Sequence, residues 1–235
     1  MTDLSNQVIL VSGASRGIGR ATALRLAERG ATVVAVARDA GELADLTRRT
    51  GGLALAADLT EETASARVVA DTLTRYGRLD AVVCNAGVGT FQEVENVDPD
   101  EWNRIFDTNV RGTFLLCRAA VPVFKAQQRG HLVGIASDLA RRAVAHTSAY
   151  AASKHAQAAL LASLRPELRP YGIKVSVLFP GLVDTHFFGT TPGRPGREHT
   201  HLQPDAVADA VRYVLEAPPH VVIDELMLHP LGQGW

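Results

Sequence analysis

The chain has 235 residues, the length of one large α/β domain, and 46% of them are hydrophobic. Its 24 basic and 25 acidic side chains give a formal net charge of −1, and the charges form no basic tract or acidic tail. This balance argues against a protein that binds nucleic acid or a charged membrane surface. No apolar run reaches the ~20 residues that a membrane-spanning helix needs.

Short apolar runs alternate with helical patterns from one end of the chain to the other. Most runs are apolar on both faces, which is typical of strands buried in a parallel sheet. The predicted strands are 7–12, 31–37, 52–57, 79–87, 130–137, 173–181 and 220–228. The predicted helices are about 18–29, 39–50, 60–76, 98–128, 147–169 and 204–216, the fourth starting with Asp98 as a cap before proline. This order predicts an α/β fold, a single Rossmann-type domain over residues 1–235 with a doubly wound parallel sheet of about seven strands flanked by helices.

The N-terminus and the cysteines bear on the cellular compartment. The opening stretch MTDLSNQVILVSG lacks the basic flank and apolar core of a signal peptide. Cys84 and Cys117 have no metal-like spacing and no framework of pairs, so we interpret them as reduced, buried thiols of a cytoplasmic protein. His199 and His201 lack a recognisable third ligand, and no metal site is predicted.

A glycine-rich turn follows the first predicted strand. Gly13, Gly17 and Gly19 lie in SGASRGIGRA, where glycines let the backbone approach a pyrophosphate at a helix N-terminus. Their spacing, G-x-x-x-G-x-G, differs from the common G-x-G-x-x-G fingerprint. We interpret the turn as a dinucleotide site, although an ordinary strand-to-helix turn stays open on this motif alone.

The end of the second predicted strand bears on the choice of cofactor. An acidic residue there would bind the ribose hydroxyls of NAD and repel the 2′-phosphate of NADP. Here the strand ends with Ala37 and Arg38, and Arg16 lies in the glycine turn. Because guanidinium groups suit phosphate, we predict NADP(H) over NAD(H). The alternative is that both arginines are merely solvated, and the neighbouring Asp39 weighs somewhat against NADP.

A tyrosine and a lysine lie four residues apart in SAYAASKHA. The spacing places Tyr150 and Lys154 on one face of a helix. A free tyrosine titrates near ~10, and a neighbouring positive charge lowers that pKa. Ser137 would supply a second hydroxyl to the negative charge that develops on a carbonyl oxygen. These residues predict a tuned proton donor, whereas the tyrosine and lysine alone would more often be ordinary helix residues.

Together these stretches resemble the short-chain dehydrogenase/reductase family, in its compact single-domain branch and with 3-oxoacyl reductase-like members. The matching pieces are SGASRGIG (12–19), ADL (57–59), NAG (85–87), TNV with Asn109, Ser137, YAASK (150–154) and PGLVDT (180–185). They occur in family order over nearly the whole chain. The resemblance implies a nicotinamide-dependent oxidoreductase that interconverts a carbonyl and a secondary alcohol, acts on a small molecule and forms a homodimer or homotetramer; with the two arginines, the expected cofactor is NADP(H).

The resemblance also implies a role for each matching residue. Tyr150 would be the general acid or base, and Ser137 would hydrogen-bond the carbonyl oxygen. Lys154 would bind the nicotinamide ribose and lower the pKa of the phenol, and Asn109 would hold a water that links the lysine to solvent. Cofactor contacts are implied for Gly13, Ser15, Arg16, Gly17, Ile18, Gly19, Arg38, Asp58, Leu59, Asn85, Ala86, Gly87, Tyr150, Lys154, Pro180, Gly181, Val183 and Thr185.

Four positions depart from the usual family pattern. Ser12 replaces a threonine and keeps the hydroxyl, and Cys84 replaces an asparagine. Asp138 follows the serine and is expected to cap the loop rather than bind substrate. Pro166 is expected to kink the last turns of the helix that usually packs against its twin in a dimer.

The substrate is not specified by any motif. The segments expected to shape its site are about 88–96, 138–148 and the loop 182–202, which is predicted to be mobile from residue 186. Arg141 and Arg142 could attract an acidic substrate, but a solvated pair is favoured. Phe187 and Phe188 fit a hydrophobic pocket and a core contact of the loop equally well.

Three functions remain open on the sequence. The first is a carbonyl reductase or alcohol dehydrogenase, for a 3-oxoacyl group or a related small ketone by family frequency. The second is a catalytically silent NADP(H)-binding sensor or scaffold, for which loss of Tyr150 or Lys154 would be expected. The third is epimerisation or dehydration, but only about 50 residues follow Pro180 and Gly181, too few for the larger substrate domain of such relatives.

Overall fold

Each apolar run forms a strand in the computed structural model, which describes residues 2–234. The strands are β1 Val8–Ser12, β2 Thr32–Ala37, β3 Leu53–Ala56, β4 Ala81–Cys84, β5 Gly130–Ile135, β6 Ile173–Pro180 and β7 Glu225–Leu228. They form one sheet in the order β3-β2-β1-β4-β5-β6-β7, and all pairings are parallel. The predicted doubly wound sheet is confirmed. The central strands β1 and β4 are buried along their whole length, as their two apolar faces require.

Within residues 2–234, seven α-helices connect and cover the strands. They are α1 Gly17–Glu28, α2 Ala40–Thr50, α3 Ala64–Tyr76, α4 Pro99–Phe106, α5 Gly112–Gln127, α6 Ser148–Leu168 and α7 Pro204–Leu215. The Asp98 carboxylate caps α4 by accepting a hydrogen bond from the Asp100 amide at 2.8 Å. The single helix expected over 98–128 is two helices joined by a π-helical turn, Asp107–Arg111. Helix α6 continues through Pro166 to Leu168, so the proline does not end it.

The sheet separates two hydrophobic cores. One core packs Val68, Leu116 and Leu161, from α3, α5 and α6, against one face. The other packs Leu26 and Val211, from α1 and α7, against the opposite face. Burying each such side chain stabilises the fold by about 1.5–3 kcal/mol, so the cores hold the helices in place. Within residues 2–234, none of the helices is long and apolar enough to cross a membrane.

Two glycines of β5 let α5 and α6 lie close to the sheet. A Cβ atom at Gly130 would lie 2.2 Å from the Phe124 ring, and one at Gly134 would lie 2.1 Å from Leu161. Helix α6, which carries Tyr150 and Lys154, therefore sits directly over the carboxyl half of β5. The strand order reverses between β1 and β4, and in open α/β sheets ligands bind beyond the carboxyl ends of the strands at such a point.

Candidate active site

The glycine turn forms a concave backbone surface between β1 and α1. Gly13 and Gly17 have φ of +63° and +55°, in the left-handed region that favours glycine. A Cβ atom at Gly19 would lie 2.2 Å from the Gly13 carbonyl oxygen, so helix and turn can touch only through glycine. Within the described residues, the Arg16 side chain makes no capping hydrogen bond with α1. Backbone N–H groups at this helix start remain available, and the turn fits a pyrophosphate.

The NAG segment after β4 is tied to the turn by hydrogen bonds. The Asn85 carboxamide donates to the Ser12 and Gly13 carbonyl oxygens at 2.9 and 3.1 Å. The Ser12 hydroxyl accepts from the Asn85 and Ala86 amides at 3.0 and 3.1 Å. The hydroxyl of Ser12 thus holds the segment against the turn, which explains why serine can replace threonine here.

The residues after β2 and β3, together with Arg16 of the glycine turn, line the other end of the site. Arg16 and Arg38 are exposed there. The Asp39 carboxylate, in contrast, caps α2 by accepting a hydrogen bond from the Glu42 amide at 3.0 Å. Burial alone would raise the pKa of Asp58, but hydrogen bonds from the Thr60 amide and hydroxyl, with nearby Arg38, lower it. Asp58 is therefore ionised at neutral pH.

Ser137, Tyr150 and Lys154 are buried together below the carboxyl end of β5. Ser137 follows β5, and the other two lie in the first turns of α6. The Lys154 Nζ donates to the Ile135 carbonyl oxygen and to Gln157 Oε1, both at 2.8 Å, and lies 5.9 Å from the centre of the Tyr150 ring. The structure thus brings the three residues of the predicted proton donor into one place.

Burial controls the proton affinities of this group. It raises the pKa of the Tyr150 phenol; a hydrogen bond with Ser137 opposes the rise and the Asp138 charge adds to it. Burial lowers the pKa of Lys154 to about 7, with Cys84 acting in the opposite direction. The lowered tyrosine pKa expected beside Lys154 is not found, because desolvation of the phenol outweighs the effects that lower its pKa. Tyr150 carries its proton at neutral pH, as a proton donor must.

Asp138 has a different role from the expected loop cap. Ser137 is the cap, since its hydroxyl oxygen accepts from the Leu139 amide at 3.2 Å. The buried Asp138 carboxylate accepts hydrogen bonds from the Ser137 hydroxyl at 3.1 Å, from Arg142 at 2.6 and 2.9 Å and from Gln233 at 2.8 Å. It connects the serine of the site to the C-terminal segment.

The two arginines that follow are not a solvated pair. Arg142 is partly buried against the Asp138 carboxylate. Arg141 pairs with Glu225 at 2.7 Å and stacks over the Phe179 ring at 4.4 Å. Both guanidinium groups have carboxylate partners, so their charges are largely compensated.

Asn109 lies behind the site rather than in its wall. It is buried in the π-helical turn, and its carboxamide exchanges two 2.8 Å hydrogen bonds with the Val88 main chain. Its Nδ2 also donates to the Ser153 hydroxyl at 2.9 Å. Two polar residues near it, Thr113 and Gln157, were missed in the sequence. The signal for Gln157 was a polar residue three positions after Lys154 in an apolar run.

Aromatic rings cover the tyrosine. The Phe187 and Phe188 ring centres each lie 5.3 Å from that of Tyr150, and Phe91 meets Phe188 at 6.4 Å. Of the two interpretations of Phe187 and Phe188, the structure supports the pocket wall. Gly89 makes room for the rings of Tyr150, Phe187 and Phe188, because a Cβ atom at Gly89 would lie 2.7–3.0 Å from each of them.

The loop that carries the phenylalanines is anchored at its base. The buried Asp184 carboxylate accepts from the Gly193 amide at 2.7 Å and from Arg197 at 3.0 Å. The Asp184 amide donates to the Leu202 carbonyl oxygen at 2.8 Å. Hydrogen bonding and the Arg197 charge lower the pKa of Asp184, and the residues between 184 and 202 form a closed loop around it.

These elements surround a cleft of about 1060 Å³. Of the residues implied by the family resemblance, all line this cleft except Gly19 and Asn109, which pack behind it. Gln233 and Gly234 of the C-terminal segment and three aromatic rings complete the wall.

A family model described as short chain dehydrogenase matches residues 7–193. The chain belongs to the short-chain dehydrogenase family. Uncharacterized oxidoreductases of Staphylococcus epidermidis and Listeria monocytogenes are 31% and 30% identical to this short-chain dehydrogenase. The alignment with the Staphylococcus relative covers 98% of this chain and 100% of the relative. The alignment with the Listeria relative covers 99% of each chain.

Solved structures of other proteins share the same fold. An alcohol dehydrogenase from Thermococcus sibiricus complexed with 5-hydroxy-NADP is 31% identical, with a TM-score of 0.89, over 97% of this chain and 98% of its own. A 3-ketoacyl-(acyl-carrier-protein) reductase from Brucella melitensis complexed with NADH is also 31% identical, with a TM-score of 0.90, over 98% and 99%. Both support a dinucleotide-binding oxidoreductase, and they differ in the cofactor bound.

Proposed function

We propose that this short-chain dehydrogenase is a cytoplasmic, NADP(H)-dependent enzyme that interconverts a carbonyl compound and a secondary alcohol. The observation that carries the proposal is the meeting of buried Ser137, Tyr150 and Lys154 at the end of the cleft that begins at the glycine turn. The silent sensor is not favoured, because all three side chains are present and buried at one end of the cleft, and burying polar groups has a cost that a binding protein has no need to bear.

The proposed residue roles follow from the geometry. A bound nicotinamide supplies or accepts the hydride. In reduction, Tyr150 gives its phenolic proton to the carbonyl oxygen as the carbonyl carbon gains the hydride. The single hydroxyl hydrogen of Ser137 turns from the Asp138 carboxylate to donate a hydrogen bond to the same oxygen. In oxidation, the phenolate of Tyr150 takes the proton back. Lys154 stabilises that phenolate and holds the ribose next to the nicotinamide, and the aromatic cover excludes water from the reacting atoms.

We propose NADP(H) as the preferred cofactor because two positive side chains, those of Arg16 and Arg38, follow β1 and β2. Arg16 and Arg38 are exposed at the cleft edge, where a 2′-phosphate would lie. The carboxylate of Asp39 is engaged with α2. The residues that would hold the rest of the dinucleotide are the glycine turn, Asp58, Leu59 and the segment Asn85 to Gly87.

The cleft favours a neutral substrate with an apolar group next to its carbonyl. Phe91, Phe187 and Phe188 offer ring faces and edges beside Tyr150. Arg142 is paired with Asp138, and Arg197, which also lines the cleft, is paired with Asp184. An acidic substrate would have to break one of these pairs, so a small apolar or aryl ketone fits the site better than a 3-oxo acid.

NADPH consumption against a matched panel tests the proposal. The panel contains an aryl ketone, a diketone, a 3-oxoacyl thioester and a 3-oxo acid, with NADH beside NADPH. We expect turnover with NADPH, fastest for the aryl ketone, and its loss in Tyr150→Phe. NADPH binding without turnover of any compound would favour the silent protein.

We also propose that the enzyme is a homodimer or homotetramer, as its family resemblance implies. Phe114 of α5 is 46% exposed and would be covered by a second copy. Light scattering that gives a monomer mass at micromolar concentration would contradict this proposal.

A further inference from the structure

A fully buried glutamine faces the lysine of the site. Gln157 lies one turn after Lys154 on α6, and its Oε1 accepts the hydrogen bond from Lys154 Nζ at 2.8 Å. Its Nε2 donates to the Thr113 hydroxyl on α5 at 2.9 Å. The Thr113 hydroxyl in turn donates to the Asn109 carbonyl oxygen at 2.8 Å. Protein groups alone therefore connect the lysine to the π-helical turn.

We propose that Gln157 is a positioning residue that aims the Lys154 ammonium at the cleft and keeps it charged. This inference rests on the proposed function, in which a charged Lys154 holds the ribose and stabilises the Tyr150 phenolate. Thr113 would support Gln157 by fixing the direction of its carboxamide.

The charge of the lysine depends on a few neighbours. Lys154 is 3% exposed, and a buried ammonium is stable only when hydrogen bonds or an opposite charge replace its lost water. The titratable groups that act on Lys154 and its partner tyrosine are Cys84 on β4, Tyr150 itself and Asp138 beyond β5. Within residues 2–234, none of these three groups forms a hydrogen bond with Lys154. The ammonium is therefore stabilised by two neutral acceptors, the Ile135 carbonyl oxygen and the Gln157 carboxamide oxygen. Burial already lowers the pKa of Lys154 to about 7, so loss of one acceptor lowers that pKa further and reduces the charged fraction at neutral pH.

The same contacts orient the ammonium. Two of its three N–H bonds are directed to Ile135 and Gln157, which leaves one for the cleft. Gly87 borders that side, because a Cβ atom there would lie 3.4 Å from Lys154 Nζ. Without Gln157 the ammonium would have a second free N–H bond and no fixed direction.

The test compares Gln157→Met with Gln127→Met. Both variants replace a carboxamide that donates and accepts, but Gln127, at the C-terminal end of α5, exchanges its two hydrogen bonds with the Leu79 main chain. The affinity of each full-length protein for NADPH is measured by fluorescence titration between pH 5.5 and 9. We expect the pH at which affinity is half lost to fall by about 1 unit in Gln157→Met, the effect of one hydrogen bond to a charged group, and to stay unchanged in Gln127→Met. Alcohol oxidation at pH 7 should fall by about fivefold in Gln157→Met only, because a fall of about 1 unit from a pKa of about 7 takes the charged fraction of Lys154 from roughly a half to roughly a tenth.

The outcomes separate this inference from the proposed function. An unchanged pH midpoint in Gln157→Met, or equal shifts in both variants, would show that Gln157 only packs and would overturn the inference. If Gln157→Met does not fold, Thr113→Val decides, with a smaller shift in the same direction expected and no shift overturning the inference. A third outcome is that the pH midpoint of NADPH affinity falls in Gln157→Met while the wild-type chain turns over no substrate. This result would support the positioning role of Gln157 and refute the reductase.

Discussion

Replacing Arg38 and Arg16 by alanine should reduce the preference for NADPH while leaving NADH untouched. A hydrogen bond from a charged donor contributes about 1.5–3 kcal/mol when shielded from water. Both arginines are exposed, however, and exposed ion pairs contribute at most about 1 kcal/mol. We therefore expect about 1 kcal/mol for each arginine, a roughly fivefold loss of kcat/KM for NADPH, and a roughly 30-fold loss in the double variant.

Initial rates with NADPH and NADH at fixed ionic strength measure this selectivity. Arg20→Ala is the matched control, because Arg20 lies on the same helix as the turn but pairs with Asp45. The NADPH advantage should also shrink between 50 and 200 mM salt, since exposed charges are screened. Equal losses with NADH and NADPH would show that the arginines support the fold of the turn. No loss with either would refute the assignment of the phosphate site.

Three further predictions concern the framework of the site. In Gly19→Ala the new Cβ atom would overlap the Gly13 carbonyl oxygen, so the free energy of unfolding measured in urea should fall by about 1–3 kcal/mol and NADPH binding should weaken. The control Gly41→Ala, on α2, should leave NADPH binding unchanged. Burial lowers the pKa of His131 to about 3 in the folded protein. Between pH 6.5 and 3 the imidazole is therefore protonated only in the unfolded chain, and the free energy of unfolding decreases as the pH falls. At pH 5 the free energy of unfolding should be about 2 kcal/mol lower than at neutral pH because of His131, and this loss should disappear in His131→Gln. If the free energy of unfolding has the same pH dependence in both proteins, this reasoning is wrong. Asp184→Ala should speed proteolysis within 186–202 and raise KM for substrate with little change in Tm, and an unchanged cleavage rate would refute the anchoring role.

Local patterns in the sequence were sufficient to predict the sheet and most of the site. A strand buried on both faces is apolar at most of its positions, so β1, β4 and β5 can be recognised in the sequence without knowledge of their neighbours. The helical spacing of Tyr150 and Lys154 and the glycines at the β1–α1 turn are equally local. The topology then follows, because the carboxyl ends of parallel strands meet at one edge and bring these motifs together.

The electrostatics of the site depended on contacts between distant parts of the chain. Asp138 meets Gln233, 95 residues away, and Gln157 meets Thr113 across 44 residues. No periodicity or motif in the sequence predicts either of these contacts. The charge of a residue is a local property, but its pKa and its partner depend on what the fold packs around it. For this reason the sequence determined which side chains reach the cleft, and only the tertiary structure decided that Tyr150 is held as a phenol and that Arg142 is paired.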